Sequence, residues 1–166
     1  MIHSPYVRKA VSVQRTMGLV LVALIPGIVA HALLIGPGVL VNLAISTITA
    51  VGAEALMLHL RKRPVAIAVG DLSAVVTAWL VTLCFPPIVP WWLTVCGALV
   101  AIVAVKHLYG GLGQNPFNPA MIAYCSMIVA FPALMSQWPP AGHLSFDTQL
   151  SLILGGPRDI DGITGA

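Results

Sequence analysis

Residues 17–60 read MGLVLVALIPGIVAHALLI, then GPG, then VLVNLAISTITAVGAEALMLHL. These are two long apolar runs with a three-residue break between them. A helix needs roughly 20 apolar residues to cross the hydrocarbon of a bilayer, and each run is close to that length. Glycine and proline end helices and favour turns. This stretch therefore predicts two membrane-spanning helices joined by a tight hairpin at Gly36, Pro37 and Gly38.

The same pattern continues along the chain. Spans are predicted near residues 17–35, 39–60, 65–85, 91–109 and 119–136. Hydrophobic residues make up 58% of the chain and charged residues only 8%, with a mean hydropathy of +0.96, whereas soluble domains are about one quarter charged. We therefore predict an all-α integral membrane protein with about five transmembrane helices. Its parts would be an amino-terminal segment (1–16), a helical domain (17–136) and a tail (137–166).

The basic residues predict the orientation. Lys and Arg occur three times in residues 1–16, three times at 61–63 and once at Lys106, but not at 36–38 or 86–90. Because short cytoplasmic loops are enriched in Lys and Arg, we expect a cytoplasmic amino terminus and a periplasmic tail. The first fifteen residues lack the pattern of a cleavable signal, so the first run is expected to be a true span. Orientation explains the net charge of +3, and no nucleic-acid partner is predicted.

Cysteine and histidine do not predict a metal site. Cys84, Cys96 and Cys125 lie in or at the ends of different spans with no CxxC spacing, so they are interpreted as packing thiols. No histidine pair has helical i, i+4 spacing. His107, next to Lys106, is interpreted as an interfacial residue.

Residues 110–120, GGLGQNPFNPA, are the strongest local motif. Asn118 followed by Pro119 predicts a helix start, with Asn118 as the N-cap. Free amides at that start favour an anion or an electron-rich ring oxygen. The other interpretation is a tight turn that holds two spans together.

Two acidic residues lie inside predicted spans. Asp71 either caps a half-helix after a broken stretch or lies at the membrane surface where a span starts late. Glu54 lies about two helical turns before residues 61–63. It is either an ion or proton relay or, as we prefer, a partner of that basic run.

Residues 161–166 read DGITGA. Together with residues 110–120 they resemble the RnfD/NqrB family, whose members are membrane subunits of the Rnf electron-transport complex and of the sodium-translocating NADH:quinone reductase. The order and spacing of the spans resemble the amino-terminal half of that family. There, an Asp-Gly-x-Ser/Thr-Gly-Ala-Thr sequence in an outer loop carries FMN on its last threonine, which would follow Ala166 here. The matching residues are Asp161, Gly162, Thr164, Gly165 and Ala166.

The resemblance implies a membrane subunit of an ion-translocating electron-transport complex in the bacterial inner membrane. It implies covalent FMN, attached by a separate flavin transferase, and a non-covalent riboflavin. It also implies partner subunits that carry a flavin and iron–sulfur clusters, since no NADH site and no iron–sulfur ligands are predicted in this chain. No residue is assigned a catalytic role.

The resemblance also suggests sites. Asp71 and Glu54 are candidates for ion or quinone coupling. The candidates for the riboflavin site are Gly110, Gly111, Gly113, Asn115 and Asn118. Two other functions stay open: a transporter without redox chemistry, which would use Asp71 and Glu54 on a solute, and a structural subunit.

Overall fold

The computed structural model describes residues 12–65, 70–108, 116–140 and 144–158. These residues form helices and connecting turns with no strand among them, so the predicted all-helical fold is confirmed for this part of the chain. The elements are α1 (Val13–Leu34), α2 (Gly38–Leu60), α3 (Ser73–Cys84), α4 (Trp91–Leu99), a π-helical segment (Val100–His107), α5 (Pro119–Ala130), α6 (Pro132–Met135) and α7 (Phe146–Leu154).

Helices α1 and α2 are long and apolar enough to cross a membrane, with 22 and 23 residues. At a rise of about 1.5 Å per residue, each is about 33 Å long, close to the thickness of the hydrocarbon core. They coincide with the first two predicted spans. The other apolar helices among the described residues are shorter, at Ser73–Cys84, Trp91–His107 and Pro119–Ala130.

Two predicted spans differ from the helices in the structure. The third, 65–85, contains a helix that begins only at Ser73. The fifth, 119–136, is interrupted at Phe131, whose φ of −135° and ψ of 57° are not helical. Pro132 explains the interruption, because proline has no N–H and disfavours helical geometry at the residue before it.

Small residues let α2 approach α3 and the π-helical segment closely. Ala50 and Ala53 of α2 pack with Ala74 and Ala78 of α3 and with Ile102. Small side chains at a helix interface allow close backbone approach, which is how helices commonly associate inside membranes. Polar groups on these helices are thereby brought within contact distance of one another.

The turn between α1 and α2 is closed by a residue of the tail. Gln149, on α7, is fully buried. Its Oε1 accepts a hydrogen bond from Gly38 N at 2.9 Å, and its Nε2 donates to Leu144 O at 2.9 Å. Gly36 has a φ of +152°, and a Cβ there would overlap the Gln149 side-chain amide. The predicted hairpin therefore depends on glycine for space as well as for backbone conformation.

Candidate functional site

A break in the chain before α3 brings a carboxylate to the start of that helix. Leu72 has a left-handed φ of 64°, and Asp71 Oδ1 accepts hydrogen bonds from Ser73 N at 2.7 Å and from Ser73 Oγ at 2.5 Å. Asp71 is half-buried and acts as a cap. The helix that follows has 12 residues, or about 18 Å by its rise, which is shorter than the hydrocarbon core.

Glu54 forms an ion pair inside the helix bundle. Its Oε2 lies 2.9 Å from Lys106 Nζ, and the side chains of Glu54 and Lys106 are 4% and 5% exposed. The preferred interpretation, in which Glu54 pairs with residues 61–63, is therefore wrong, because the partner of Glu54 is Lys106. Those three residues follow the end of α2 and are exposed. Arg61 instead donates from a guanidinium nitrogen to His107 O at 2.7 Å.

Lys106 links Glu54 and Asp71, the two carboxylates that were predicted as candidate site residues. Besides its contact with Glu54, its Nζ donates to Ser73 Oγ at 2.7 Å, and Ser73 in turn donates to Asp71. His107 completes the group, with Nε2 3.2 Å from Glu54 Oε2. We call these five residues, Glu54, Asp71, Ser73, Lys106 and His107, the carboxylate–lysine cluster.

The π-helical segment contributes Lys106 and His107 to the cluster. Lys106 and His107 are its last two residues, and both are buried, with 4% and 5% of their surface exposed. The interpretation of His107 as an interfacial residue is therefore corrected. π-Helices are rare and occur frequently at functional sites. A change from α to π geometry was not detectable in the run of Val, Ala and Ile that forms it.

Burial makes this cluster costly to build. Moving a charged group out of water costs several kcal/mol per ion, which the attraction between partners offsets only with good geometry and further hydrogen bonds. Ionisable groups buried between membrane helices are therefore candidates for function. Here the ammonium of Lys106 has two oxygen partners, and the Asp71 carboxylate has two donors from Ser73.

At the other end of α2, polar contacts join the turns and the tail. Asn42 Nδ2 donates to Pro87 O at 2.9 Å, and Thr94 Oγ1 donates to Asn42 Oδ1 at 2.9 Å. Glu54 is about 18 Å further along the helix than Asn42 by helical rise. The two polar groups are therefore separate sites.

Arg158 anchors the tail at this second end. Its guanidinium donates to Gln137 Oε1 at 2.7 Å, to Ile88 O at 2.7 Å and to Leu152 O at 2.9 Å. Burial lowers the pKa of Arg158, but arginine stays charged at physiological pH. The chain is thus held to the bundle directly before residues 159–166. Arg158 was not predicted as a site residue, because its partners Gln137 and Ile88 lie 21 and 70 positions away along the chain.

Of the remaining predicted site residues, the structure describes only Asn118. Asn118 caps α5 as predicted, with Oδ1 accepting from Ala120 N at 3.0 Å. Gly110, Gly111, Gly113 and Asn115 lie outside the described residues. So do the residues of the terminal motif: Asp161, Gly162, Thr164, Gly165 and Ala166. The structure thus brings Glu54 and Asp71 into one cluster, through Lys106 and Ser73.

The fold and the cluster define a class: a helical membrane protein with a group of charged side chains buried between its helices. The chain belongs to the NQR2, RnfD, RnfE family, whose model matches residues 1–166. The resemblance inferred from residues 110–120 and 161–166 is therefore confirmed at the level of the family.

Curated relatives are named as the D component of an ion-translocating oxidoreductase complex. One from Vibrio cholerae serotype O1 is 45% identical in an alignment 166 positions long, which covers 97% of this chain and 47% of that relative. One from Pseudomonas aeruginosa is 47% identical over 153 residues, covering 92% of this chain and 44% of the relative. One from Aeromonas hydrophila is 46% identical over 145 residues, covering 87% and 41%. The chain spans about half the length of the curated relatives it matches.

Proposed function

We propose that the protein of which this chain forms part is a membrane subunit of an ion-translocating electron-transport complex. The observation that carries this proposal is the buried ion pair between Glu54 and Lys106, which extends through Ser73 to Asp71. A plain scaffold would not need charged groups between apolar helices, since burying them is costly. The names of the relatives, which describe an ion-translocating oxidoreductase complex, point to the same function.

The second part of the proposal is that Glu54 and Asp71 couple electron transfer to the movement of Na⁺ or H⁺. Their carboxylates lie at the two ends of one chain of contacts: Glu54, Lys106, Ser73, Asp71. A cation or proton that reached either carboxylate would change the attraction that holds Lys106. A quinone near the cluster is the other form of coupling that these residues support, since a carboxylate can exchange protons with it.

The third part concerns the flavin. We propose that FMN is esterified to a threonine directly after Ala166 by a separate flavin transferase. Support comes from residues 161–166, which match the start of the family's attachment sequence, and from Arg158, which holds the preceding chain to the bundle. FMN would supply the electron-transfer chemistry when bound. Partner subunits with a flavin and iron–sulfur clusters would deliver and accept the electrons.

A non-covalent riboflavin would use the loop before α5. Asn118 contributes to that site in a restricted way, because its Oδ1 already accepts from Ala120 N. The cap does not use the Nδ2 donor, which would donate to a ring oxygen of the isoalloxazine. Gly110, Gly111, Gly113 and Asn115 would complete the site.

The flavin is tested on the full-length protein produced together with its complex and a flavin transferase. We expect yellow protein, in-gel fluorescence under ultraviolet light after denaturation, and a threonine directly after Ala166 that is heavier by an esterified FMN. A chain without this fluorescence and with an unmodified next residue would instead indicate a transporter without redox chemistry.

Ion coupling is tested by Glu54→Gln and Asp71→Asn in the intact complex. We expect both variants to lose most redox-driven ion transport in vesicles while electron transfer continues. The matched control is Asp147→Asn, since Asp147 is an exposed carboxylate on α7. Unchanged ion transport in both cluster variants would indicate a structural role for the cluster.

We also propose that the protein crosses the bacterial inner membrane several times, with its amino terminus in the cytoplasm. The distribution of Lys and Arg supports this orientation. It is tested with reporter fusions after residues 35, 62 and 140. An active cytoplasmic reporter after residue 35 would contradict it.

A further inference from the structure

Three successive basic residues form a tight turn directly after α2. We call Arg61, Lys62 and Arg63 the basic turn, and all three are exposed. Lys62 has a left-handed φ of 53°, and its N–H donates to His59 O at 3.0 Å. The N–H of Arg63 donates to Leu58 O, also at 3.0 Å. The backbone therefore folds back on the end of the helix and holds three positive charges close together.

The carboxylates at this end of the bundle are engaged elsewhere. Glu54 is buried in its ion pair, and Asp71 accepts two hydrogen bonds from Ser73. Among the residues that the structure describes, the exposed carboxylate is Asp147, which lies on α7 next to the start of α2. The basic turn thus has an excess of positive charge that the described part of the chain does not balance.

The length of α2 places the basic turn at the membrane surface. The helix has 23 residues and is apolar enough to cross a bilayer. At a rise of about 1.5 Å per residue it is slightly longer than the hydrocarbon core, which is about 30 Å thick. Residues that directly follow such a helix lie at the depth of the lipid phosphates. Arg15, exposed near the start of α1, adds a fourth cation at the same end of the helical hairpin.

The π-helical segment holds one of these cations in place. A guanidinium nitrogen of Arg61 donates to His107 O at 2.7 Å. A guanidinium has five N–H donors in a planar fork that matches the oxygens of a phosphate, and this contact uses one of them. Because the side chain is already ordered, Arg61 loses less conformational entropy when it binds an anion.

We propose that the basic turn binds the phosphate of an anionic phospholipid, with Arg61 as the ordered donor and with Lys62 and Arg63 as neighbouring cations. Groups of four to eight Lys and Arg beside a membrane-spanning helix are typical of anionic lipid binding. The depth of the turn favours a lipid over the acidic surface of a peripheral protein, because the phosphates of the bilayer lie at this level.

The test titrates the full-length protein, in neutral detergent micelles, with dioctanoyl phosphatidylglycerol, and native mass spectrometry counts the bound lipids. We expect this anionic lipid to bind more tightly than dioctanoyl phosphatidylcholine, and an excess of inorganic phosphate not to displace it. Lys62→Gln/Arg63→Gln should weaken its binding about 25-fold, or about fivefold for each cation removed. The matched control Lys62→Arg/Arg63→Lys keeps both charges and should bind as the unmodified protein does.

Three results would overturn the proposal. The first is equal binding of phosphatidylglycerol to Lys62→Gln/Arg63→Gln and to the unmodified protein. The second is displacement of the lipid by inorganic phosphate, which would make the turn a site for the free anion. The third is the loss of a peripheral subunit from the intact complex in the same variant while lipid binding stays unchanged, which would indicate an acidic protein as the partner.

Discussion

Replacing Lys106 with Met should destabilise the protein strongly, because it leaves Glu54 buried without its ion-pair partner. At 2.9 Å and an effective dielectric constant of about 20, the Coulomb attraction is about 6 kcal/mol. The cost of keeping both ions out of water offsets part of this attraction. Removing one partner of a buried pair costs about 3–5 kcal/mol, and we expect Lys106→Met to fall in that range.

The assay is reversible unfolding of the full-length protein in mixed micelles with increasing SDS. Three variants form a cycle: Lys106→Met, Glu54→Gln and the double variant. The double variant should lose less stability than the sum of the single ones, by about 1–3 kcal/mol, since it leaves no unpaired ion. Arg63→Met is the control, because Arg63 is an exposed basic residue near the same end of the bundle.

The reasoning would be refuted if Lys106→Met and Arg63→Met lowered the free energy of unfolding equally. It would also be refuted if the two single losses simply added in the double variant, because the ion pair would then contribute no coupling.

Three further predictions concern two close contacts of glycines and one buried hydrogen bond, and all are checked by the same unfolding measurement. Gly36→Ala should lower the free energy of unfolding by about 1–3 kcal/mol, because the new Cβ would overlap the Gln149 amide. The control is Gly27→Ala, which has open space around the new Cβ and should be neutral or raise the free energy of unfolding by about 0.5–1 kcal/mol. Equal effects of the two variants would contradict this prediction. Gln149→Leu should lower the free energy of unfolding by about 1–3 kcal/mol, since it leaves the backbone N–H of Gly38 at the start of α2 unpaired. A gain in stability would argue against that hydrogen bond. Gly97→Ala should lower the free energy of unfolding by about 1–3 kcal/mol, because its Cβ would lie 2.6 Å from Phe85 Cζ. An unchanged free energy of unfolding would show that the Phe85 ring moves aside without cost.

The helices could be predicted from sequence where the signal is local. Residues 17–35 and 39–60 form long helices because each run is apolar throughout, and Asn118 caps α5 because Asn followed by Pro favours a helix start. The interruption at Phe131 also has a local cause, Pro132, and could have been read from the sequence. The π-helical geometry of Val100–His107 has no such marker.

The candidate site was predictable only in part. Glu54 and Asp71 could be predicted as candidate site residues because acidic residues inside apolar runs are rare. Their partners were missed: Lys106 was interpreted as an orientation signal and His107 as interfacial. Glu54 and Lys106 have opposite charges and lie near the predicted cytoplasmic ends of the runs 39–60 and 91–109. This signal could have suggested the pair. Gln149 gave no signal, because a glutamine in a polar tail looks like any exposed residue.

Hydropathy and short motifs depend on neighbours along the chain, and they were enough to predict an apolar, helical chain, the positions of its long helices and its family. The contact of Lys106 with Glu54, 52 positions away, the link through Ser73 to Asp71 and the anchoring of the tail by Arg158 became visible in the folded chain. Such contacts depend on how helices pack and on the direction of each side chain. Many helix arrangements bury the same apolar surface, but few of them bring these charges into contact.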